Sequence, residues 1–139
     1  MKKNALINAE LSYLVATLGH TNEITICDAG LPIPAAAQRI DLALIPGVPT
    51  FIATVTAILT EMQIEGVVLA EEFAKISPEL HQTLVSVITA EEQLTNRDIP
   101  LTYMSHTAFK VRTEQSKAVV RTGECTPYAN VIFQSGVVF

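Results

Sequence analysis

Apolar residues recur at helical spacing along three stretches of the chain. The first follows Asn8, a helix-capping residue, and Gly19 predicts a left-handed stop, so we expect a short helix ending at His20. The second follows Thr50. The third follows Ser77-Pro78-Glu79, where a cap, a first-turn proline and an acidic residue come in the expected order. The apolar faces comprise Leu11, Leu14, Val15 and Leu18; Phe51, Val55, Ile58, Leu59 and Met62; and Leu80, Leu84, Val87 and Ile88.

Between these helices lie short β-prone runs bounded by turn residues. The run 23–28 closes at Ala29-Gly30, and 64–70 reads as a buried strand. A short helix is expected after Ser105-His106. The remaining predicted strands are 40–44, 101–104, 118–121 and 130–133. Strands that alternate with helices indicate an α/β fold, a single three-layer domain over residues 1–139 with a largely parallel central sheet flanked by helices.

The composition is rich in apolar residues, with 49% hydrophobic and 17% charged among 139 residues. The apolar runs are broken well before the roughly 18 residues that a membrane helix needs, so we expect no membrane insertion. A small domain with few charges often covers its excess apolar surface with copies of itself. A homo-oligomer is therefore expected.

Charge and cysteine content exclude further classes. The net charge is −5, and the nine basic residues are scattered, which argues against a nucleic-acid partner. Cys27 and Cys125 form neither a disulfide framework nor a Cys-x-x-Cys zinc pair. The start, MKKNALINAELSYL, is a poor signal peptide, so a cytoplasmic location is expected by default.

Asp28 and His106 each follow a predicted strand, at the carboxyl end where open α/β sheets bind ligands. Asp28 can hold its turn by accepting backbone N–H bonds, or it can bind sugar hydroxyls or orient a histidine. His106 can simply cap the next helix, as can Ser105.

His20 lies just past a helix end, where the helix dipole alone would explain a histidine. Histidine is also the side chain best suited to proton transfer near neutral pH. His81 is predicted to face solvent inside the third helix and is left out of the site. No two of the candidates His20, Asp28 and His106 have short ligand spacing, so we predict no metal.

The segment TGECTPYANVIFQSGV, residues 122–137, gathers turn residues before the last strand. Tyr128 and Asn130 read first as turn and packing residues. A tyrosine ring beside an asparagine amide also suits a sugar, because the ring covers an apolar face while the amide bridges hydroxyls. No phosphate-binding glycine loop or Gly-x-Ser-x-Gly elbow occurs, which leaves nucleotide use and acyl transfer without support.

Four motifs carry a resemblance to a known family. GHTNEITICDAGLPIP, RIDLAL, MQIEGVVLAEE and TGECTPYAN occur in this order, and from Lys2 to Phe139 the sequence resembles the ribose pyranase and fucose mutarotase family. Asp-Ala-Gly-Leu-Pro at 28–32 and Pro-Tyr-Ala-Asn at 127–130 resemble the ribose branch rather than the fucose branch.

The resemblance implies an isomerase that interconverts the pyranose and furanose forms of D-ribose without a cofactor. His20 matches the family's proton donor, and the sugar-binding positions are matched by Asp28, His106, Tyr128, Ala129 and Asn130. It further implies a homo-oligomer, a decamer of stacked pentamers, with the sugar site close to a subunit boundary. Two alternatives stay open, a non-catalytic ribose-binding accessory of a sugar transporter and a fucose-type mutarotase.

Overall fold

The protein, described by a computed structural model over residues 1–139, is built on one six-stranded sheet. The strands are β1 (Glu23–Cys27), β2 (Gln38–Asp41), β3 (Ile64–Ala70), β4 (Leu101–Met104), β5 (Ala118–Arg121) and β6 (Val131–Ser135). They lie in the order β2-β5-β1-β6-β3-β4. The helices are α1 (Ala9–Thr17), α2 (Phe51–Leu59), α3 (Glu71–Ile76), α4 (Pro78–Thr95) and α5 (His106–Thr113).

Successive side chains of a strand point to opposite sides of the sheet, and in the central strands β1, β3 and β6 the side chains on both sides are largely buried. One apolar cluster joins the sheet to α1, α2 and α4, with Ile24, Val67 and Phe133 on the sheet side. A smaller cluster on the other face joins Val68 and Ile132 to Phe109 of α5. Helices therefore cover both faces, and the predicted three-layer α/β architecture is confirmed. No helix is long and apolar enough to cross a membrane.

The sheet is largely parallel, as predicted, but β6 runs antiparallel to both of its neighbours, β1 and β3. The remaining pairings, β1 with β5, β2 with β5 and β3 with β4, are parallel. Residues 122–130 connect β5 to β6 without a helix, and a parallel return in one sheet needs a crossover of a dozen or more residues. The short connection therefore reverses the chain and places β6 at the centre of the sheet.

Several predictions about the elements need correction. The strand predicted at 40–44 is β2, Gln38–Asp41. The first helix does not reach His20, and Gly19 is not a left-handed stop, because α1 ends at Thr17 and its C-cap Leu18 is extended. The helix α3 was not expected, since it has only six residues and Ala70 offers no side-chain cap. Ser77 precedes α4 without capping it, because its hydroxyl donates instead to the Pro127 carbonyl oxygen at 2.8 Å. That bond ties α4 to the loop 122–130.

Candidate active site

A polar cleft of about 560 Å³ opens at the carboxyl ends of β1 and β4, beside the loop 122–130. Its lining combines acidic, aromatic and hydroxyl groups. Those used below are Asp28, Gly30, His106, Glu124, Thr126 and Tyr128. The position agrees with the expectation that ligands bind where parallel strands end.

Asp28 and Asn130 hold each other through two hydrogen bonds. The Asp28 N–H donates to Asn130 Oδ1 at 2.9 Å, and Asn130 Nδ2 donates to Asp28 Oδ2 at 3.0 Å. The other carboxylate oxygen, Oδ1, accepts the Gly30 N–H at 2.8 Å, so the turn-holding role considered for Asp28 is present. Carboxylate oxygens accept more than one hydrogen bond each, which leaves Asp28 able to receive sugar hydroxyls from the cleft.

Of the two residues that follow Tyr128, neither lines the cleft. Asn130 is fully buried, so its side chain acts through Asp28 within this chain. Ala129 is also fully buried and packs in the larger apolar cluster. Tyr128 adopts a left-handed backbone conformation, with φ of 63°. This sharp turn lets the tyrosine ring face the cleft while the next two residues are buried and lead into β6.

His106 and Tyr128 form the aromatic wall of the cleft. Their ring centroids lie 4.9 Å apart and the planes are nearly perpendicular, while His106 stacks on Phe109 from behind. Ser105 caps α5 by accepting the Ala108 N–H, and the His106 N–H donates to Glu72 at 2.9 Å. His106 is therefore free of the capping role considered for it. Its backbone is held and its ring faces the cleft.

The His106 ring is suited to bind as a neutral group. Its Nδ1 atom is buried and has no hydrogen-bond partner within the chain. Burial, and secondarily the Lys110 charge, lower the pKa of His106, against a smaller opposing effect of Glu72 and Asp28. A neutral imidazole carries one donor and one acceptor nitrogen, so the ring can hydrogen-bond a sugar hydroxyl in either role.

Glu124 organises the loop that carries the cleft's other wall. Its Oε1 atom accepts from the backbone N–H groups of Cys125 and Thr126 and from the Thr126 hydroxyl at 2.7 Å. Its Oε2 atom accepts the Phe51 N–H at the start of α2. Burial raises the pKa of Glu124, but these hydrogen bonds outweigh it and hold the pKa below its ordinary value. Sequence reasoning missed this residue, because most of its partners are backbone N–H groups that no side-chain pattern reveals.

Gly123 is required where it stands. A Cβ atom at this position would lie 2.3 Å from the Val48 carbonyl oxygen and 2.5 Å from its nitrogen, and these backbone atoms cannot move aside. The turn before α2 thus packs directly against the start of the loop 122–130, close to Glu124. Backbone contact and the Glu124 carboxylate together fix this wall of the cleft.

We expect Glu124→Gln to lower the free energy of unfolding by about 1 to 3 kcal/mol at pH 7, since it removes charge-assisted hydrogen bonds. The lowered folded-state pKa means that this stabilisation is present above the unfolded carboxyl pKa of about 4.3 and is lost as the pH falls through the folded value. Chemical denaturation of both proteins between pH 7 and pH 3 measures it. A stability gap that did not narrow toward acid would contradict the role given to Glu124.

His20 lies at the other end of the sheet. It sits in the turn before β1, and its Nε2 atom is 2.8 Å from Glu65 Oε2 near the start of β3. Asp28 directly follows β1, and the five residues of that strand span about 16 Å. Within one chain, then, the structure brings together Asp28, His106, Tyr128 and Asn130 but not His20. This separation could have been predicted from the sequence, because His20 precedes the predicted strand 23–28 and Asp28 lies at its carboxyl end.

His81 is not solvent-facing, which corrects the expectation from sequence. Its ring is half-buried, packs edge-on against Phe73 at 5.5 Å, and shares a 2.8 Å hydrogen bond with the Tyr103 hydroxyl. Burial lowers the pKa of His81. The residue does not line the cleft.

Comparison with known proteins gives matches over the whole chain. The sequence pattern of the RbsD/FucU transport protein family matches residues 1–138. D-ribose pyranases of Photobacterium profundum and Vibrio cholerae are 77% and 68% identical over 139 residues, with complete coverage of both chains.

Solved structures agree with these sequence matches. Bacillus subtilis RbsD, solved in complex with D-ribose, is 42% identical, with a TM-score of 0.89 and complete coverage of both chains. A fucose mutarotase of Streptococcus pneumoniae, solved with L-fucose, shares the fold at 24% identity, with a TM-score of 0.74 and complete coverage of both chains.

Proposed function

The chain belongs to the RbsD/FucU transport protein family, and from this premise we propose that it is a D-ribose pyranase, an isomerase that interconverts the pyranose and furanose forms of D-ribose. The observation that carries the function is the full-length similarity to D-ribose pyranases, 77% and 68% identical. The polar cleft supports it, because it offers carboxylate, imidazole and phenol groups to a small polyol. We treat residues 1–139 as one pyranase-like domain.

The chemistry needs only protons to move. When the pyranose opens, the bond from C1 to the ring oxygen breaks, the ring oxygen gains a proton, and the anomeric hydroxyl loses one to give the aldehyde. Closure through the C4 hydroxyl reverses both transfers and gives the furanose. No electrons or groups leave the sugar, so general acid and base catalysis accounts for the reaction without a cofactor.

We assign the binding role to the cleft and the proton-donor role to His20. Asp28 would accept sugar hydroxyls, with Asn130 fixing its carboxylate. His106 and Tyr128 would enclose the ring, with the His106 imidazole as the hydrogen-bond partner of a hydroxyl. Ala129 would contribute through its backbone, since its side chain is buried in the apolar cluster.

This assignment requires a second copy of the chain. His20 and Asp28 are separated by the length of β1, so His20 of a partner copy would complete the cleft. Support comes from the exposed apolar side chains Leu44 and Ile45, which are 77% and 60% exposed and lie in the loop beside Ala29 and Cys125. A surface of this kind is suited to be covered by another subunit. A decamer of stacked pentamers remains the proposed assembly.

A cytoplasmic location is part of the same proposal. Cys27 is buried and Cys125 is exposed, and the two thiols are unpaired. Unpaired thiols are the usual state in reducing compartments. Fractionation of cells that express the protein, followed by detection of the chain in each fraction, tests the location.

The function is tested by the rate of exchange between ribose ring forms, measured by NMR saturation transfer with and without the protein. We expect exchange between the pyranose and furanose forms to accelerate in proportion to protein concentration, and D-ribose to be a better substrate than L-fucose. Saturable ribose binding at the spontaneous exchange rate would instead identify a non-catalytic accessory. Faster turnover of L-fucose would identify a fucose-type mutarotase.

A further inference from the structure

Glu65 holds the ring of His20 from one side. The two side chains meet at 2.8 Å, from His20 Nε2 to Glu65 Oε2. We propose that Glu65 is a positioning residue for the ring-opening reaction, which accepts the Nε2 proton of His20 and leaves Nδ1 as the nitrogen that exchanges protons with the sugar. This inference rests on the proposed function, in which His20 is the proton donor.

The backbone that carries His20 is fixed by hydrogen bonds at both ends of its turn. The Gly19 N–H donates to Asn22 Oδ1 at 2.9 Å, and the Asn22 N–H donates to the Gly19 carbonyl oxygen at 3.1 Å. The Thr21 N–H donates to the Ser135 carbonyl oxygen at 2.8 Å. The Ser135 N–H donates to the Asn22 carbonyl oxygen, also at 2.8 Å. The turn is therefore fastened to the end of β6.

Thr21 adds a second sign of constraint, because it adopts a φ of 65°. A β-branched residue rarely enters this left-handed region, and such conformations persist only where the surroundings enforce them. They concentrate at sites where a side chain must be aimed. Here the constrained residue directly follows His20.

A bulge in β3 sets the direction of the Glu65 side chain. The register of β3 against β6 shifts between Ile64 and Gly66, so Glu65 occupies a bulge, a feature that redirects a side chain. The space beside it is filled, since a Cβ atom on Gly136 would lie 3.1 Å from Glu65 Cβ. Two independent backbone irregularities, at Thr21 and at Glu65, thus converge on one carboxylate–imidazole pair.

The chemistry of the pair assigns the protons. An ionised carboxylate only accepts hydrogen bonds, so Nε2 of His20 carries a proton in both charge states of the ring. In the imidazolium state Nδ1 also carries one, which it gives to the ring oxygen as the bond to C1 breaks. The neutral ring then has its lone pair on Nδ1 and can take the proton of the C4 hydroxyl as that oxygen attacks C1. On opening, the anomeric hydroxyl gives its proton to a second group of the cleft, the His106 imidazole, which returns it to the aldehyde oxygen on closure, so the count balances.

Glu65 would assist catalysis by orienting the His20 ring, and not by stabilising the fold through its charge. The side chains of His20 and Glu65 are 56% and 39% exposed, and exposed ion pairs contribute little to stability. A fixed tautomer and ring direction matter for catalysis, because a partner of this kind behind a working histidine is commonly worth tenfold or more in rate. Loss of Glu65 should therefore affect turnover and leave the folded protein intact.

The test compares Glu65→Ala, Glu65→Gln and the control Glu114→Ala, which removes an exposed carboxylate at the end of α5. We expect Glu65→Ala to lower kcat for ribose ring exchange by about tenfold or more, with the ribose Kd within about twofold of wild type. Glu65→Gln keeps an oxygen that can accept the Nε2 proton, so it should recover part of the loss. The control should match wild type, and all variants should keep the wild-type mass in solution.

Nitrogen NMR of histidine-labelled protein provides a readout that does not require activity. For the neutral ring of His20, we expect the wild-type protein to carry the proton at Nε2, and Glu65→Ala to show a mixture of tautomers. The proposal is overturned if the wild-type protein and Glu65→Ala show the same His20 tautomer. It is also overturned if Glu65→Ala keeps the full kcat while His20→Ala is inactive. If the wild-type protein itself failed to accelerate exchange, the proposed function would fall, whereas a tautomer set by Glu65 would still support the pairing.

Discussion

Replacing His20 with alanine is expected to slow ribose ring interconversion by about 10²- to 10⁴-fold, the usual contribution of one well-placed acid or base. The side chain is 56% exposed and packs in neither apolar cluster, so the fold should be unaffected. Measurement of ring exchange by NMR saturation transfer at saturating ribose gives the loss directly.

Two controls make the His20 result specific. Glu114→Ala, on the exposed end of α5, should leave the rate at the wild-type value. Circular dichroism and solution mass should show that His20→Ala stays folded and assembled. A rate within a few-fold of wild type in a folded variant would show that another group donates the proton.

Replacing Asn130 with alanine is expected to produce the largest loss of both ribose affinity and stability. The fully buried Asn130 amide makes two hydrogen bonds with Asp28, and without it the Asp28 N–H and Oδ2 lose their partners. A hydrogen bond to a charged group contributes about 1.5 to 3 kcal/mol, and a polar group left without a partner costs about 1 to 3 kcal/mol. Affinity should fall by roughly tenfold, which corresponds to about 1.4 kcal/mol, if the misplaced Asp28 carboxylate loses one hydrogen bond to the sugar.

Asn8→Ala provides a matched control for the Asn130 result. Asn8 caps α1, and its loss should cost about 0.5 to 2 kcal/mol of stability without changing ribose affinity. Chemical denaturation and ribose titration of the two variants separate the effects. If Asn130→Ala bound ribose as tightly as Asn8→Ala, the arrangement of Asp28 by Asn130 would have no role in recognition.

The sequence predicted the elements best where a strand is one uninterrupted β-prone run. The bounds of β3, β4 and β5 match their predicted ranges, because each is a continuous β-prone run between turn residues. The direction of β6 was not predicted, since local patterning says nothing about which strands become neighbours. It follows from the short connection 122–130, which is too short to return parallel.

The features of the site that were not predicted depend on hydrogen bonds between residues far apart in the sequence, or on the local backbone conformation. Asp28 and Asn130 were each suspected from local signals, but their mutual hydrogen bonds join residues 102 positions apart. Glu124 and Glu65 gave no signal, because their roles depend on a backbone loop and on a strand bulge. His20 was grouped with Asp28 by residue type, whereas the strand between them separates the two within one chain.

The proposed site requires His20 of one copy to complete the cleft of another. Complementation between two slow variants tests this requirement. His20→Ala keeps an intact Asp28 cleft, and Asp28→Asn keeps His20 while weakening the sugar site. Each variant alone should exchange ribose forms slowly when ribose is kept below the wild-type Kd.

The decisive measurement is the ribose ring-exchange rate of the two variants produced together, so that copies mix within one assembly. Random pairing should restore about a quarter of the wild-type sites, because one pairing in four joins an intact His20 to an intact Asp28. The same variants folded separately and mixed just before measurement provide the control and should stay slow. If the co-assembled protein were no faster than this control, the site would not be shared between copies, and His20 of a partner copy would not be the proton donor.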